Sequence, residues 1–191
     1  MDADRISFGV RRGGTGSKPS LMSQQRIALI DWIQENFQTE MNEGRVFVAT
    51  LLFMEGISRD TAAQSYAHFK RSLDRKLYGK APERHSERPP VKHLGVIEGG
   101  GSTGKEVHYH SIFVKPKDRE LTDEAFIALI QTQWNRLDKA MKNREITSKI
   151  ELAQDLTGWI EYQTKFTSKD LGNGLSYLDL LDLNTLKLEG L

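Results

Sequence analysis

The stretch from Val91 to Pro116 constrains the fold of this chain more than any other part of the sequence. Two apolar runs, Val91 to Ile97 and Val107 to Val114, flank a glycine-rich segment, and the second run ends at a Lys-Pro pair. Apolar runs of this length around glycine-rich turn residues predict a β-hairpin. We interpret the rest of the chain as structure that is built around this hairpin.

The second run of the hairpin contains two histidines, His108 and His110, separated by Tyr109. Side chains alternate between the two faces of a strand, so both imidazoles are predicted on one face and Tyr109 on the other. Glu98 ends the first run, where the hairpin brings its carboxylate toward the two histidines. Taken alone, two histidines in a strand are often only surface or packed residues. With the carboxylate they form a candidate metal site suited to Mn²⁺ or Mg²⁺.

The length of 191 residues favours one domain, over 21–191, preceded by a flexible arm at 1–20 that is rich in Gly, Ser and Arg. A hydrophobic content of 38% and a charged content of 28% are typical of a globular protein. The absence of cysteine excludes zinc-thiolate sites and thiol nucleophiles, so a metal must be held by histidines and carboxylates. No apolar run is long enough to span a membrane and no leader is visible, so we expect a cytoplasmic protein.

The remaining elements are predicted from apolar periodicity and from capping residues. Strands are expected at Arg45 to Phe53, near Ile146 to Leu152 and in the C-terminal tail as a sheet edge. Helices are expected from Ser20 or Ser23 to Thr39, from Thr61 to Leu77 after a cap at Ser58 or Asp60, from Thr122 or Asp123 to Met141, and from Asp155 or Thr157 onward. Trp134, Trp159 and Phe166 are expected in the core. The predicted fold class is α+β, a central antiparallel sheet that carries the two histidines and has helices packed on its faces.

A local excess of positive charge lies between His68 and Lys92, with eight Lys or Arg against three acids, in a protein whose net charge is +1. Such a block indicates an anionic partner, most often nucleic acid, although a solvated helix face explains the charge equally well. The candidate DNA-binding residues are Lys70, Arg71, Arg75, Lys76, Arg84, Arg88 and Lys92.

The segment from Gly99 to Glu106 nearly matches the phosphate-binding loop GxxxxGK[ST]. Glu106 stands where that loop needs a hydroxyl for Mg²⁺, and the chain is predicted to continue into a strand rather than a helix. A glycine-rich hairpin loop therefore explains the segment better than a nucleotide site does.

A Tyr-x-x-Lys pattern follows at Tyr162 and Lys165. In a helix this spacing places the phenol and the ammonium on one face. Alone, the pattern is more typical of a core tyrosine with an exposed lysine. A phenol is also a poor nucleophile at neutral pH unless it is activated, for example beside a metal-polarised phosphodiester.

Together, the His-x-His strand, the preceding acid and the later Tyr-x-x-Lys resemble the HUH endonucleases. They resemble more closely the rolling-circle replication initiator (Rep) proteins of plasmids, phages and single-stranded DNA viruses. The resemblance covers roughly 45–169. It implies that His108, His110 and Glu98 bind the divalent metal, that Tyr162 attacks DNA, and that Lys165 steadies the phosphate. Since no second tyrosine lies one helical turn from Tyr162, the pattern is that of an initiator with a single tyrosine.

The resemblance implies nicking and joining of single-stranded or hairpin-extruded origin DNA through a 5′-phosphotyrosine intermediate. Such an enzyme starts rolling-circle replication with a host polymerase and helicase, in the cytoplasm or nucleoid of the host cell. One alternative is a non-catalytic DNA-binding or regulatory module on the same fold. Another is a nucleotide-hydrolysing protein that uses Gly99 to Lys105, against which Glu106 argues.

Overall fold

The computed structural model describes residues 21–79, 90–100, 106–137, 148–161 and 181–183. The predicted arm at 1–20 lies outside this part of the chain. Helices and strands follow one another in the predicted order. They are α1 Leu21–Asn42, β1 Val46–Leu52, α2 Arg59–Tyr78, β2 His93–Glu98, β3 His108–Val114, α3 Asp123–Asn135, β4 Ser148–Leu152, α4 as far as it is described (156–161), and β5 Leu181–Leu183.

The five strands form one antiparallel sheet in the order β4-β1-β3-β2-β5. The central strand, β3, pairs with β1 on one side and with β2 on the other, so the predicted hairpin is confirmed. The succession β1-α2-β2-β3-α3-β4 is a split βαβ arrangement. As predicted, part of the C-terminal tail adds an edge, because β5 pairs with β2. The predicted α+β class is therefore confirmed.

One face of the sheet, here called the aromatic face, is covered by α2 and α3. The Tyr66 ring of α2 stacks on Tyr109 of β3, with ring centroids 3.9 Å apart and an interplanar angle of 5°. Trp134 of α3 meets Phe53 edge-on at a centroid distance of 4.9 Å. Aromatic pairs of this geometry add to the stability that comes from burying their surface. Tyr109 thus lies on the face away from the histidines, as its position in the strand predicted.

The opposite face, here called the histidine face, carries His108 and His110 and is covered by α1 and α4. Lys92 projects on this face, where its Nζ lies 4.8 Å from the centroid of the Phe37 ring of α1. Lys92 lies beside Val114, whose N–H donates to its carbonyl, at the end of the sheet remote from His108. The C-terminal half of α1 therefore covers the end of this face that lies away from the histidines.

Three helices begin at capping residues that the sequence predicted. Ser58 Oγ accepts from Thr61 N at 3.2 Å at the start of α2, and Thr122 Oγ1 accepts from the backbone N–H three residues on at the start of α3. Asp155 Oδ1 accepts from Gly158 N at 2.9 Å at the start of α4. These bonds satisfy backbone donors that have no partner within the first turn of a helix.

The predicted end of α3 at Met141 is wrong, because the helix ends at Asn135. Leu137 N donates to Trp134 O at 3.0 Å, which closes a tight turn in place of another helical turn. Leu137 is buried although it lies beyond the end of the helix. Its apolar side chain therefore extended the helical pattern in the sequence, but the helix itself stops before it. In the part of the chain that the structure describes, no helix combines the length and apolar content that a membrane span needs.

Gly95 of β2 leaves room for the Tyr66 ring, which generates a stability prediction. A Cβ atom at Gly95 would lie 2.7 Å from Tyr66 Oη and 2.9 Å from Cε1. Because Tyr66 is fully buried and stacked on Tyr109, its ring has no free space to enter. We expect Gly95→Ala to lower the free energy of unfolding by about 1–3 kcal/mol, measured by urea denaturation.

The control for this prediction is a double-mutant cycle with Tyr66→Phe. Tyr66→Phe alone removes the 2.9 Å hydrogen bond between Tyr66 Oη and Ser111 Oγ, at a cost of about 1 kcal/mol. The double variant should lose less stability than the sum of the two single variants, because the closest clashing atom is gone. Strictly additive losses would contradict the part of the clash that is assigned to Tyr66 Oη.

Candidate metal centre

Glu98, His108 and His110 converge at one end of the histidine face, and they are here called the triad. Glu98 Oε2 lies 3.1 Å from His110 Nε2 and 3.4 Å from His108 Nε2. The two Nε2 atoms lie 3.1 Å apart. Among the described residues, no other group of three such side chains comes together in this way. The structure therefore assembles the ligand set that the sequence predicted.

Strand register brings the triad together. Glu98, the last residue of β2, pairs directly with His108, the first residue of β3, and His110 follows two positions later on the same face. Gly99 and Gly100 have φ values of 84° and 77°, a conformation that glycine adopts without strain, so the chain can turn immediately after Glu98. Arg59 Nε, from the start of α2, donates to Gly99 O at 2.7 Å and holds this strand end in place.

The spacing of the three ligand atoms fits a single metal ion. An ion about 2.1 Å from each ligand separates neighbouring ligand atoms by about 3.0 Å in octahedral geometry and by about 3.4 Å in tetrahedral geometry. The observed separations of 3.1, 3.1 and 3.4 Å match these values. Two imidazoles and one carboxylate can hold a divalent ion on one side and leave its other coordination positions open.

Hydrogen bonds on the far side of each imidazole orient the two rings. His108 Nδ1 lies 2.9 Å from the Glu106 carbonyl oxygen, which only accepts, so Nδ1 carries the proton and Nε2 presents its lone pair to the triad. His110 Nδ1 lies 3.2 Å from Thr50 Oγ1 of β1, which can accept in the same way. Such outer partners hold a metal-binding histidine in its ligating tautomer. With both rings in this tautomer, three lone pairs would face one another, and a cation between them would stabilise the arrangement.

The burial of the triad is uneven. The side chain of Glu98 is 7% exposed and that of His110 is 10% exposed, whereas that of His108 is 15% exposed. Burying a carboxylate costs free energy unless a cation or hydrogen bonds compensate for the lost water. His108 is the most exposed of the three side chains.

Trp159 of α4 adds a contact that the sequence did not reveal. Its ring centroid lies 6.2 Å from that of His110, at an interplanar angle of 82°. Trp159 was expected in the core; it is partly buried, packs against the core and also contacts a triad residue. Thr50, the partner of His110 Nδ1, was not predicted from the sequence either. Neither residue has a local sequence signal, because strand pairing and helix packing alone bring them to His110.

The predicted tyrosine and its companion lysine, Tyr162 and Lys165, lie outside the described residues, as do Arg84 and Arg88. Two other predicted DNA-binding residues have partners within the fold. Lys70 is only 5% exposed, and its Nζ lies over the Tyr66 ring, 5.4 Å from the centroid. Lys92 pairs with Glu40 at 2.9 Å beneath α1. The ammonium group of Lys70 is buried, whereas Lys92 is 26% exposed and its ammonium group is paired with α1.

Arg71, Arg75 and Lys76 are exposed on α2, as their helical spacing predicted. However, α2 packs on the aromatic face, so these cations project away from the triad. Arg59, at the start of α2, contacts the residue that follows Glu98. Arg75 lies sixteen positions further along α2, which corresponds to about 24 Å along the helix axis. The structure therefore does not bring this basic surface to the metal centre. Charge spacing alone could not reveal on which face of the sheet α2 packs.

Comparison with known proteins yields no match. No family model fits the chain, and no curated protein and no solved structure matches it. The function of the triad has to be inferred from its own geometry and from the chemistry of its residues.

The triad predicts one divalent metal site per chain. In isothermal titration with Mn²⁺, the wild type should bind one equivalent, and His108→Ala/His110→Ala should lower the affinity by more than about 100-fold, because two of three ligands are lost. Glu98→Gln should weaken binding as well, since the negative charge is removed. The control is His68→Ala, because His68 is exposed on α2. Full Mn²⁺ binding by the double variant would contradict the assignment.

Thr50 predicts a second effect on metal binding. Thr50→Val keeps the shape of the side chain but removes the oxygen partner of His110 Nδ1. We expect the affinity for Mn²⁺ to fall about 10-fold, the lower end of the range for outer-shell partners. Thr50→Ser retains the hydroxyl and should bind Mn²⁺ as the wild type does. Equal weakening in both variants would assign the loss to packing rather than to the hydrogen bond.

Proposed function

We propose that this protein is a metal-dependent DNA-nicking enzyme of the HUH endonuclease type, with a single catalytic tyrosine, that initiates rolling-circle replication. The observation that carries the proposal is the triad on the central strand, whose three ligand atoms are spaced for one divalent ion. A Mn²⁺ or Mg²⁺ ion held there supplies Lewis-acid polarisation of a phosphodiester oxygen. The His-x-His pattern on a central antiparallel strand, with the acid on the adjacent strand, is the arrangement that the resemblance implied.

Tyr162 is the proposed nucleophile. Its phenol oxygen forms a bond to the scissile phosphorus, the bond from phosphorus to the 3′ oxygen breaks, and the phenol proton is transferred to the leaving 3′ oxygen. The products are a 5′-phosphotyrosine and a free 3′-hydroxyl that a host polymerase can extend while a host helicase opens the duplex. Because the phosphotyrosine is still a phosphodiester, attack by a 3′-hydroxyl reverses the step and joins the strand. Lys165 is proposed to neutralise negative charge on the phosphate.

The position of α4 supports this assignment. Asp155 caps the helix and Trp159 contacts His110, so the described part of α4 runs beside the triad. Tyr162 follows Trp159 by three residues in the sequence, and Lys165 follows Tyr162 by three.

The burial of the triad favours unpaired DNA as substrate. Glu98 and His110 are buried, and the side chain of His108 is only 15% exposed. A scissile phosphate in a single strand or an extruded hairpin can enter such a site without the opposing strand. We therefore propose single-stranded or hairpin-extruded origin DNA as the substrate.

The proposal predicts a covalent protein–DNA adduct. With Mn²⁺ and labelled single-stranded oligonucleotides from its own replicon, the wild type should give a band on a denaturing gel that is shifted by one oligonucleotide. The band should be lost with EDTA, in His108→Ala/His110→Ala and in Tyr162→Phe. Tyr78→Phe is the matched control, because Tyr78 lies at the end of α2 on the aromatic face. A Tyr162→Phe protein that forms the adduct as the wild type does would remove the nucleophile assignment.

A non-catalytic DNA-binding module is the second candidate, and the exposed cations Arg71, Arg75 and Lys76 favour it. This candidate predicts DNA binding that persists in EDTA and leaves no covalent adduct across the whole oligonucleotide pool. Such a result would replace the nicking enzyme with the binding module.

A further inference from the structure

We propose that Lys149 holds the DNA strand beside the metal centre by contacting a phosphate that neighbours the scissile one. This inference rests on the proposed function and adds a substrate-positioning residue to it. The residue belongs to β4, an edge strand, and it was not among the cations that the sequence analysis selected.

Strand register places Lys149 in line with the triad. It pairs with Thr50 across β4 and β1, and Thr50 pairs with His110 across β1 and β3. Residues that are directly opposite in neighbouring strands project on the same face of a sheet. Lys149 therefore lies on the histidine face, two strands from His110, at a backbone separation of about 10 Å. A flexible lysine side chain at this distance can reach the phosphate next to one held at the triad.

The side chain of Lys149 is available for such a contact. It is 73% exposed, and its Nζ lies 2.9 Å from Glu151 Oε1, whose side chain is itself 51% exposed. An ion pair between two exposed side chains is weak and is screened by salt. The phosphate next to the one held at the triad can therefore displace Glu151 as the partner of Lys149.

Arg59 reaches the residue after Glu98, but its Nε already donates to Gly99 O, and the other described cations are placed less well for this role. Across the described strands β1 to β5, Lys149 is the only lysine or arginine. Lys92 projects on the histidine face but pairs with Glu40 at its far end. The exposed arginines and the lysine of α2 lie across the sheet. A strand of DNA that enters the triad from the side of β4 meets Lys149 first.

The test measures binding of a labelled single-stranded oligonucleotide by fluorescence anisotropy over a range of salt concentrations. Each phosphate contact contributes about 0.7 to the slope of log affinity against log salt for a single strand. Lys149→Ala should weaken binding several-fold at low salt and reduce this slope by about 0.7. Lys149→Arg should retain both values. Glu151→Gln should strengthen binding, because the competing carboxylate is neutralised.

In the nicking reaction, Lys149→Ala should raise KM and leave kcat near the wild-type value, since the contact is present in both ground and transition states. Its affinity for Mn²⁺ should be unchanged. Lys117→Ala, which removes an exposed cation beyond the end of β3 remote from His108, is the matched control and should leave KM for the cleaved oligonucleotide unchanged.

The outcomes separate this inference from the proposed function. If the wild type nicks DNA while Lys149→Ala matches it in affinity, salt slope and KM, the inference is wrong and the proposed function stands. If Lys149→Ala also loses Mn²⁺ affinity, the residue supports the structure of the site and the phosphate contact is overturned. If the wild type neither binds nor nicks single-stranded DNA, both proposals fail.

Discussion

The antiparallel pairing of β2 with β3 is the interaction on which the rest of the site depends. It sets Glu98 opposite His108, and a slip of one residue would turn the carboxylate to the other face of the sheet. The register is held from the aromatic face, where Tyr66 fills the space above Gly95 and bonds to Ser111. Packing on one face of the hairpin thus determines the chemistry available on the other.

The two faces of the central strand have different roles. On the aromatic face, α2 and α3 bury Tyr109 and Phe113 in a layer of rings that supplies much of the core. On the histidine face, the same strand exposes His108 in part and brings a buried carboxylate to it. A buried carboxylate lowers stability unless a cation is near, so binding of a divalent ion should also stabilise the folded chain. Metal binding at the triad would therefore be coupled to folding through Glu98.

Charge is distributed in a way that separates two surfaces. The basic residues that stand out in the sequence lie on α2, away from the triad, whereas Lys70 is engaged within the core. The cation in line with the triad is a single lysine on an edge strand, Lys149, within a segment of no unusual charge. A count of basic residues thus indicates the surface of α2, whereas strand pairing indicates Lys149 on the histidine face. If the α2 surface and Lys149 both contact DNA, the α2 surface contacts a part of the strand that is distant from the scissile phosphate.

The sequence by itself determined the hairpin, the shared face of His108 and His110, the helix caps and the α+β class. These features depend on residues a few positions apart, through the alternation of side chains in a strand and the capping of helix ends. Only the tertiary structure decided that Thr50 would bond to His110, that Trp159 would lie beside it and that α3 would end at Asn135. The first of these contacts joins residues 60 positions apart. Contacts of that range depend on strand register and on the side of the sheet where each helix packs, and no local pattern specifies either.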